Sequence, residues 1–597
     1  MEMSKRMSNQ EIAQLLKGMA AAYQIKEDQQ FRVKAYEEAA ASIEHATSSI
    51  KDLWDDGKLE EIPSVGKAIA DHLDELFRTG KVKHFNEVMA KFSPAMFEFL
   101  QIPGVGAKTA YKLAKELRIN KAKSALVELK KAAEKGKIRQ IEGFGEESEK
   151  ALLEGLGEIG KKGKAGERMA LPFAGRLAKE ILAYMKKNPQ VKQIEPLGSL
   201  RRQAATIGDL DFGVATNKSK EVIDYFCAYP QKKEIVAAGG NTARIMTKDD
   251  RQIDLKTMLP DAFGALLQHY TGSKQHNIHL REIAQKEGWS LSEYGIKRSK
   301  NFVKKYKNEK DFYNELGMEW IPPELREDTG EIEVAQKKAL PKLVELKDIK
   351  GDLHLHSNYP IEPSHDLGTP SIKEMVIKAK EMGYEYLGLS EHNPSVSKHS
   401  DKQIIDILKR KKESIEQFKS SNKKLVRSIH LFNGLEIDIK PDGDLAVPEK
   451  GLIYLDYAIV SIHGSFRQSR DGATKRVLRA LEHPKARILG HPTGRLLNKR
   501  EGMEFDWEKI FAFCRKRKKY LEISAWPYRL DLPDILVREA VKNGVKMVIN
   551  SDAHSLEEME LMEYGLSVAR RGWAESKDII NTLSYARIIK ILKGGED

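Results

Sequence analysis

Cysteine is scarce in this sequence, and long hydrophobic runs are missing from it. Only Cys227 and Cys514 occur among 597 residues, far apart and without a C-x-x-C pair. This usage excludes a disulfide scaffold and a cysteine zinc finger, and it is typical of a reducing cytoplasm. No apolar run approaches the roughly 18 residues of a membrane span, and the N-terminus lacks the apolar core of a signal peptide. We therefore expect a cytoplasmic protein that neither spans a membrane nor is secreted.

Basic residues and histidines are distributed unevenly along the chain. There are 101 Lys and Arg against 88 Asp and Glu, and residues 101–200 alone hold 21 basic and 12 acidic side chains. Nucleic acid would be attracted to that stretch, although an ordinary lysine-rich surface would carry the same charge. Ten of the 16 histidines lie in the last 247 residues, so metal chemistry is to be sought there.

A short glycine-containing sequence motif occurs three times in the helical N-terminal region, beginning at residues 62, 102 and 141. Glycine lets the backbone turn tightly and approach a ligand closely, and the free N–H groups at the start of the next helix can bind phosphate. One copy alone would equally suit an ordinary helical turn. The repeat within the basic region predicts helix-hairpin-helix motifs that hold the DNA backbone. The residues expected to contact DNA are Gly66, Lys67, Gly104, Gly106 and Lys108.

Strand-like runs begin after residue 170. A helix at 175–187 is followed by runs at 191–196, 210–215, 235–237 and 252–258, and this order predicts an α+β unit. From residue 350, short apolar runs alternate with helices and predict a parallel α/β sheet or barrel. Those runs are expected at 386–390, 430–437, 458–461, 488–490, 520–523 and 545–550.

Three aspartates make the first candidate site. Asp209 and Asp211 are spaced i, i+2 and would share one face of a strand, and Asp254 lies on a further strand. Three convergent carboxylates can hold two Mg²⁺ ions, which stabilise the attacking and leaving oxygens of an in-line displacement. A D-x-D pair is common on exposed strands, but a Gly-Ser segment upstream of Gly-Asp-x-Asp is much more specific.

These segments, Gly198–Arg202 and Gly208–Asp211, resemble the nucleotidyltransferase signature of family X DNA polymerases, whose best-known member is DNA polymerase beta. Residues 270–273 resemble the turn against which the sugar of the incoming nucleotide packs in that family. The motifs at 62–67 and 102–108 match the two helix-hairpin-helices of that family. The similarity therefore covers about residues 1–320. The positions that the resemblance assigns to the incoming nucleotide are Gly198, Ser199, Arg202, Gly208, Tyr270, Gly272, Asn277 and Arg281.

The resemblance also implies roles for the aspartates. Asp209 and Asp211 would bind both ions, and Asp254 would bind the catalytic ion and help activate the primer 3′-hydroxyl. Two positions depart from the family pattern. His269 stands where the animal enzyme has a phenol, and Gln252 replaces a basic residue.

A further departure concerns the abasic-site lyase activity of the animal relatives, which uses a lysine Schiff base. The matching position here is His72, and an imidazole cannot form a stable Schiff base. The nearest amine, Lys67, more plausibly contacts phosphate. We therefore expect at most weak lyase activity, with recognition of a 5′ phosphate through Arg32 or Lys67.

The last third contains a second candidate site, made of residues at or after predicted strands: His354, His356, His392, Glu436, His463, His491, Asp552 and His554. In a parallel barrel such strand ends converge on one face. A single histidine is more often a packed or surface residue than a metal ligand. Eight metal-binding residue types placed at or after strands nevertheless predict a metal centre. Nitrogen and oxygen ligands without thiolates suit Mn²⁺ or Zn²⁺.

This series resembles the motifs of the polymerase and histidinol phosphatase (PHP) domain, a distorted α/β barrel with a trinuclear site. That family usually has a short Ser-Asp-Gly soon after its first motif. Here the loop is longer and spans 363–368. We assign Asp366 as the remaining ligand, and His365 stays as the alternative.

A family X polymerase followed by a PHP domain is an arrangement typical of bacteria and archaea. The resemblance implies a monomeric DNA polymerase that uses dNTPs and Mg²⁺ to fill short gaps in DNA repair. The PHP domain would be a Mn²⁺-dependent 3′–5′ exonuclease or 3′-end-processing phosphoesterase, which could also cleave at abasic sites. Two alternatives stay open for the PHP domain: a tethered small-molecule phosphatase, or a scaffold with structural metals.

The expected fold class is multidomain, with a helical region, an α+β polymerase core and an α/β PHP barrel. The expected domains are an N-terminal helical DNA-binding domain (1–90), a helix-hairpin-helix subdomain (91–168), a nucleotidyltransferase palm (169–260), a nucleotide-selection thumb (261–321), a linker (322–347) and the PHP domain (348–597).

Overall fold

The computed structural model describes residues 7, 9–26, 30–44, 50, 54, 59–62, 64–100, 102, 105–146, 148–149, 152–153, 156, 168–299 and 302–595. The chain divides into two compact units, Met1–Gly166 and Glu167–Asp597. Gly104, one of the glycines expected to contact DNA, lies outside the described residues. None of the described helices combines the length and apolarity that crossing a bilayer requires.

The first unit is helical in its described residues. In the helix Lys67–Thr79, the side chains of Ile69, Leu73 and Phe77 are buried, which follows the helical period and gives the helix one apolar face. Gly80 ends that helix in the left-handed region at φ 79°. The α-helices span Asn9–Ile25, Gln30–Glu44, Lys67–Thr79, Lys83–Met89, Pro94–Phe99, Ala107–Glu116 and Ala125–Glu134.

The second unit begins with an α+β region. Its strands are β1 (Met169–Ala170), β2 (Gln193–Pro196), β3 (Thr206–Ile207), β4 (Leu210–Ala215), β5 (Lys232–Gly239), β6 (Thr242–Thr247) and β7 (Gln252–Met258). Five of them form a sheet in the order β2-β4-β7-β6-β5, in which β4 and β7 are parallel and the other pairs antiparallel. The predicted α+β unit is thus confirmed, and β4 and β7 have the predicted bounds. Its helices span Leu171–Met185, Gly198–Arg201 and Ser219–Cys227.

A smaller region follows this five-stranded sheet. It consists of the helices Phe263–Thr271, Lys274–Lys286 and Glu309–Glu315 and of an antiparallel sheet, β8 (Ser290–Ser292), β9 (Gly295–Ser299) and β10 (Phe302–Lys304). The segment interpreted above as a linker is folded, with short helices Pro323–Leu325 and Glu331–Gln336. Arg326 is completely buried there and donates to Glu309 at 2.6 Å, so this segment packs tightly against its neighbours.

The rest of the chain alternates strands with helices. The strands are β11 (Gly351–Leu355), β12 (Tyr386–Leu389), β13 (His430–Asn433), β14 (Glu436–Asp438), β15 (Ala458–Ser461), β16 (Ala486–Leu489), β17 (Tyr520–Ser524) and β18 (Met547–Asn550). The α-helices span Ile372–Glu381, Asp401–Ser421, Glu449–Leu452, Arg470–Glu482, Trp507–Arg517, Asp534–Lys542, Met562–Arg571 and Tyr585–Leu592. All strand pairs here are parallel, as the alternation predicted.

These strands form two sheets, β11-β12-β13 and β14 through β18, rather than one continuous barrel. Single bridges between Leu355 and Ala553 and between His392, which follows β12, and Glu436 connect the two sheets. The run predicted as one strand at 430–437 is broken, because β13 pairs with β12 whereas β14 pairs with β15. The chain changes sheets at Gly434, where an added Cβ would lie only 2.7 Å from the ring of Tyr457.

Candidate active sites

The register of the five-stranded sheet β2-β4-β7-β6-β5 brings two of the three aspartates together. Asp211 on β4 and Asp254 on β7 are direct partners in the parallel pair, and Asp209 lies exposed in the turn before β4. Burial, together with the charges of Asp254 and Asp209, raises the pKa of Asp211 to about 6. Carboxylates that repel one another in this way would be stabilised by a divalent cation, so the donor set fits a hard metal ion.

Two neighbours of Asp254 were not expected from the sequence in this role. Arg244 faces Asp254 across the antiparallel β6–β7 pair, and its Nε and Nη2 donate to the two carboxylate oxygens at 2.6 and 2.9 Å. Gln252, the departure from the family pattern, donates to the same carboxylate at 3.1 Å. Without the strand register, no signal in the sequence links Arg244 to Asp254.

The turn that begins at Gly198 lies against the aspartates. Gly198 has φ +57°, and an added Cβ would lie 3.1 Å from Oδ2 of Asp211, so both conformation and space favour glycine. Arg202, at the end of this turn, donates from Nη1 to the carbonyl oxygen of Thr271 at 2.6 Å. It also lies close to Gly272, whose added Cβ would be 3.2 Å from Nη1. The two turns predicted to bind the nucleotide are therefore joined.

The other positions assigned to the nucleotide surround this turn. The ammonium of Lys256 lies 4.6 Å from the ring centre of Tyr270. Asn277 is held by the carbonyl of His269 at 2.7 Å, and the exposed Arg281 donates to the carbonyl of Asn277 at 3.0 Å. Two residues with small side chains complete the set. Ser199 lies in the first turn of the helix Gly198–Arg201, and Gly208 lies beside Arg168.

The predicted histidine cluster converges around one carboxylate at the carboxyl ends of the parallel strands. Glu436 is 1% exposed. Its oxygens lie 2.7 Å from His392 Nδ1, 2.9 Å from His491 Nε2, 3.4 Å from His354 Nε2, 3.4 Å from His463 Nε2 and 3.8 Å from His356 Nε2. Asp552 lies 3.2 Å from His356 and 3.5 Å from His354. Burial alone would raise the pKa of Glu436, but the surrounding histidines hold it well below the usual range, so the carboxylate is ionised.

Several buried atoms that face the centre of this cluster make no hydrogen bond within the described part of the chain. They are Nε2 of His354, Nε2 of His356 and Nε2 of His554. Buried polar atoms almost always have a hydrogen-bond partner. A set of buried atoms that lack one, and that can each give a lone pair to a metal ion, therefore fits a metal site. Four groups have ligand atoms within 4.8 Å of one another: His354–His356–Asp552, His356–His392–His554, His392–Glu436–His463 and His365–Asp438–His463.

Both candidates from the long loop reach the cluster. Asp366 lies 3.3 Å from Nε2 of His392 and 3.6 Å from Nε2 of His554. His365 instead lies 3.1 Å from Asp438, and its ring centre is 4.4 Å from that of His463. Both residues lie beside His392, whose ring centre is 4.9 Å from that of His365, and their other partners differ.

Two carboxylates that the sequence analysis missed hold the histidines in place. Glu522 accepts from Nδ1 of His354 at 2.7 Å, and Asp438 accepts from Nδ1 of His463 at 2.7 Å. A carboxylate on one ring nitrogen fixes the tautomer and directs the other nitrogen to the metal. The sequence contains one signal for Asp438, which is spaced i, i+2 from Glu436 on the same strand and so shares its face. No comparable sequence pattern marks Glu522.

The helix-hairpin-helix glycines have a simpler geometry than expected. Gly66 and Gly106 are the N-caps of the helices Lys67–Thr79 and Ala107–Glu116, with extended backbone at φ −78° and −81°. The expected need for a tight glycine turn is therefore wrong at these two positions, since any residue adopts this conformation. Nothing lies within 4 Å of a Cβ added at either glycine, so the open space instead suits close approach of a ligand.

The position that matches the lyase nucleophile is enclosed by aromatic side chains. The hydroxyl of Tyr36 lies 3.1 Å from Nδ1 of His72, and the ring of His84 stacks on His72 with centres 5.0 Å apart. Lys67 is exposed at the start of its helix. Arg32 lies over the ring of Tyr23, 5.7 Å from its centre.

Comparison with known proteins gives matches along most of the chain. Family models match for a helix-hairpin-helix domain at residues 7–82, the DNA polymerase beta thumb at 266–327 and the PHP domain at 352–525. The DNA polymerase/3′-5′ exonuclease PolX of Bacillus subtilis (strain 168) is 33% identical over 590 residues, covering 98% of this chain and 100% of that protein. The repair DNA polymerase X of African swine fever virus is 26% identical over 27% of this chain and 90% of its own length. A probable phosphatase of Thermoanaerobacter sp. (strain X514) is 24% identical over 41% of this chain and 98% of its own length.

Proposed function

The chain belongs to family X of the DNA polymerases, and we propose that it fills short gaps in DNA and trims the same 3′ ends with its PHP domain. Polymerisation transfers a nucleotidyl group to the primer 3′-hydroxyl and releases pyrophosphate. Trimming hydrolyses the terminal phosphodiester. Both reactions act on a DNA 3′ end, which gives the fusion of the two catalytic regions a chemical reason.

The parallel register of Asp211 with Asp254 is the observation that carries the polymerase half. With Asp209, these carboxylates would hold two Mg²⁺ ions, and Asp254 would orient the primer 3′-hydroxyl. When bound, such a pair of ions stabilises the attacking and leaving oxygens of an in-line displacement. Burial, and after it the charges of Asp254 and Asp209, raise the pKa of Asp211, and a divalent cation would stabilise these neighbouring carboxylates in their ionised form.

We further propose that the incoming dNTP binds at the two joined turns. Arg202 would bind the triphosphate together with Gly198 and Ser199, since Nη2 of Arg202 has no hydrogen-bond partner among the described residues. The sugar would pack at Gly272. The remaining contacts would come from Gly208, Tyr270, Asn277 and Arg281.

For the PHP domain we propose a centre that takes up to three Mn²⁺ or Zn²⁺ ions. Its ligands would be His354, His356, Asp366, His392, Glu436, His463, His491, Asp552 and His554. When bound, the ions supply a nucleophilic hydroxide at neutral pH and neutralise the phosphodiester charge. Glu522 and Asp438 hold His354 and His463 in the tautomers that such ligation needs.

The N-terminal hairpins would grip the DNA backbone without reading its sequence. Gly66 and Gly106 leave open space before two helix starts, and Lys67 and Lys108 lie beside them. We propose a monomer that acts on DNA in the cytoplasm. The scarcity of cysteine, with only Cys227 and Cys514 in the sequence, supports a reducing compartment.

A gapped-DNA assay with a labelled primer tests the whole proposal. Extension should require dNTPs and proceed in Mg²⁺, whereas shortening of the primer should require Mn²⁺ and proceed without dNTPs. A chain that neither extends nor shortens the primer in either metal would contradict the proposal.

The similarity to the Thermoanaerobacter phosphatase favours a second candidate for the PHP domain, a phosphatase of small esters. Comparing Mn²⁺-dependent release of nucleotides from primed DNA with release of phosphate from small phosphate monoesters separates the two. Faster release from the small esters would replace the exonuclease assignment and leave the polymerase assignment intact.

A further inference from the structure

An arginine of the PHP domain reaches the nucleotide-binding turn of the polymerase domain. Arg571 is the last residue of the helix Met562–Arg571, and its side chain is only 9% exposed. Its Nη1 donates to the backbone oxygen of Arg202 at 2.8 Å, and the two residues are 369 positions apart in the chain. The same nitrogen donates to Oε1 of Glu327 at 2.9 Å.

Glu327 connects this arginine to the side chain of Arg202. Oε1 of Glu327 also accepts from Nε of Arg202 at 3.0 Å, so one carboxylate oxygen is shared by two guanidinium groups. Arg202 then donates from Nη1 to the carbonyl of Thr271. The contacts therefore run from Arg571 through Glu327 to Arg202 and end beside Gly272.

Arg571 is itself fixed on the side of the PHP domain. Its Nε donates at 2.7 Å to Oδ2 of Asp534, the first residue of the helix Asp534–Lys542. The rigid fork of the guanidinium thus spans two carboxylates and a carbonyl in one geometry. Removal of one member of a buried ion-pair network leaves the others uncompensated, so the position of each depends on the rest.

We propose that Arg571 is a positioning residue for polymerisation: through Glu327 it holds the Arg202 guanidinium where the triphosphate binds. This inference rests on the proposed function, because it takes Arg202 as a ligand of the dNTP. The consequence is that the nucleotide site is complete only with the PHP domain in place.

The test is steady-state gap filling by Arg571→Met, with dNTP varied in Mg²⁺. We expect the KM for dNTP to rise about tenfold, the scale of one lost charge-assisted hydrogen bond, while kcat changes less than about twofold. Mn²⁺-dependent shortening of the primer by the same variant should stay at the rate of the unsubstituted chain.

Arg570→Met is the matched control. Arg570 makes the same kind of contact one residue earlier, donating to Glu324 at 2.8 Å and to the carbonyl of Val344 at 3.0 Å, and neither partner contacts Arg202. Its KM for dNTP should not change. An equal rise in KM for both variants would overturn the proposal, because a generally weakened contact between the domains would then explain the effect.

Two further variants separate the possible failures. Arg202→Ala should raise the KM for dNTP at least as much as Arg571→Met. An unchanged KM in Arg202→Ala would refute the dNTP contact itself, whereas a rise in Arg202→Ala without one in Arg571→Met would refute only the positioning role. Where Arg571→Met does not fold, Glu327→Leu removes the shared acceptor from the polymerase side. It should raise the KM for dNTP, and an unchanged KM in that folded variant would overturn the proposal.

Discussion

Glu522→Gln should weaken the PHP metal centre although residue 522 would bind no metal. All three neighbours of this fully buried carboxylate donate to it. Oε1 accepts from His354 at 2.7 Å and from the side-chain amide of Asn550 at 2.8 Å, and Oε2 accepts from the backbone N–H of His491 at 2.6 Å. The amide of Asn550 cannot turn to adapt, because its oxygen already accepts from the N–H of Leu353.

A glutamine at position 522 therefore has to direct its NH₂ group at a donor. If that group faces His491, a buried N–H loses its acceptor, which costs about 1–3 kcal/mol. If it faces His354, the imidazole has to take the opposite tautomer, and its Nε2 then carries a proton and cannot bind a metal. Either outcome removes support from a ligand, and loss of such a carboxylate typically costs about 10–100-fold in metal affinity or activity.

The assay is primer shortening as a function of Mn²⁺ concentration, with extension in Mg²⁺ measured on the same preparation. The Mn²⁺ concentration for half-maximal shortening should rise by about 10–100-fold, and extension should not change. An unaltered Mn²⁺ dependence would refute the role given to Glu522. Loss of extension as well would indicate that the substitution unfolds the chain.

Three other predictions concern the DNA clamp, the uncertain ligand and the lyase. Gly106→Val should weaken binding of primed DNA with little dependence on sequence, because the new side chain fills the space before the helix start; an unchanged dissociation constant at moderate salt would count against the clamp. Asp366→Ala should impair Mn²⁺-dependent shortening more than His365→Ala, and the reverse order would make His365 the ligand. Borohydride trapping on an incised abasic substrate should give at most weak cross-linking; efficient cross-linking that disappears in Lys67→Ala would show this expectation to be wrong.

Local patterns in the sequence were sufficient to predict strands that are largely buried and paired on both sides. The runs at 210–215 and 252–258 became β4 and β7 with the predicted bounds, and 458–461 became β15. These strands are buried and lie between neighbours, so their apolar residues mark them clearly. The run at 430–437 was misread as one strand because both halves are apolar, and only the pairing partners reveal the change of sheet at Gly434.

Contacts that join distant parts of the chain could not be predicted. Arg244 pairs with Asp254 because of the β6–β7 register, which composition does not encode. Glu327 and Arg571 reach Arg202 from 125 and 369 residues away. Such positions depend on how the folded layers pack. The candidate metal ligands are different, because most of them lie at or just after the end of a strand, and these strand ends converge.

The central claim is that one chain carries two separate metal-dependent sites that act on the same DNA 3′ end. The most direct test measures primer length on gapped DNA for two variants, Asp254→Ala and the double variant His354→Ala with His356→Ala. The first should lose extension and keep Mn²⁺-dependent shortening, and the second should lose shortening and keep extension in Mg²⁺. Extension that survives in Asp254→Ala, or shortening at full rate in the double variant, would contradict the account.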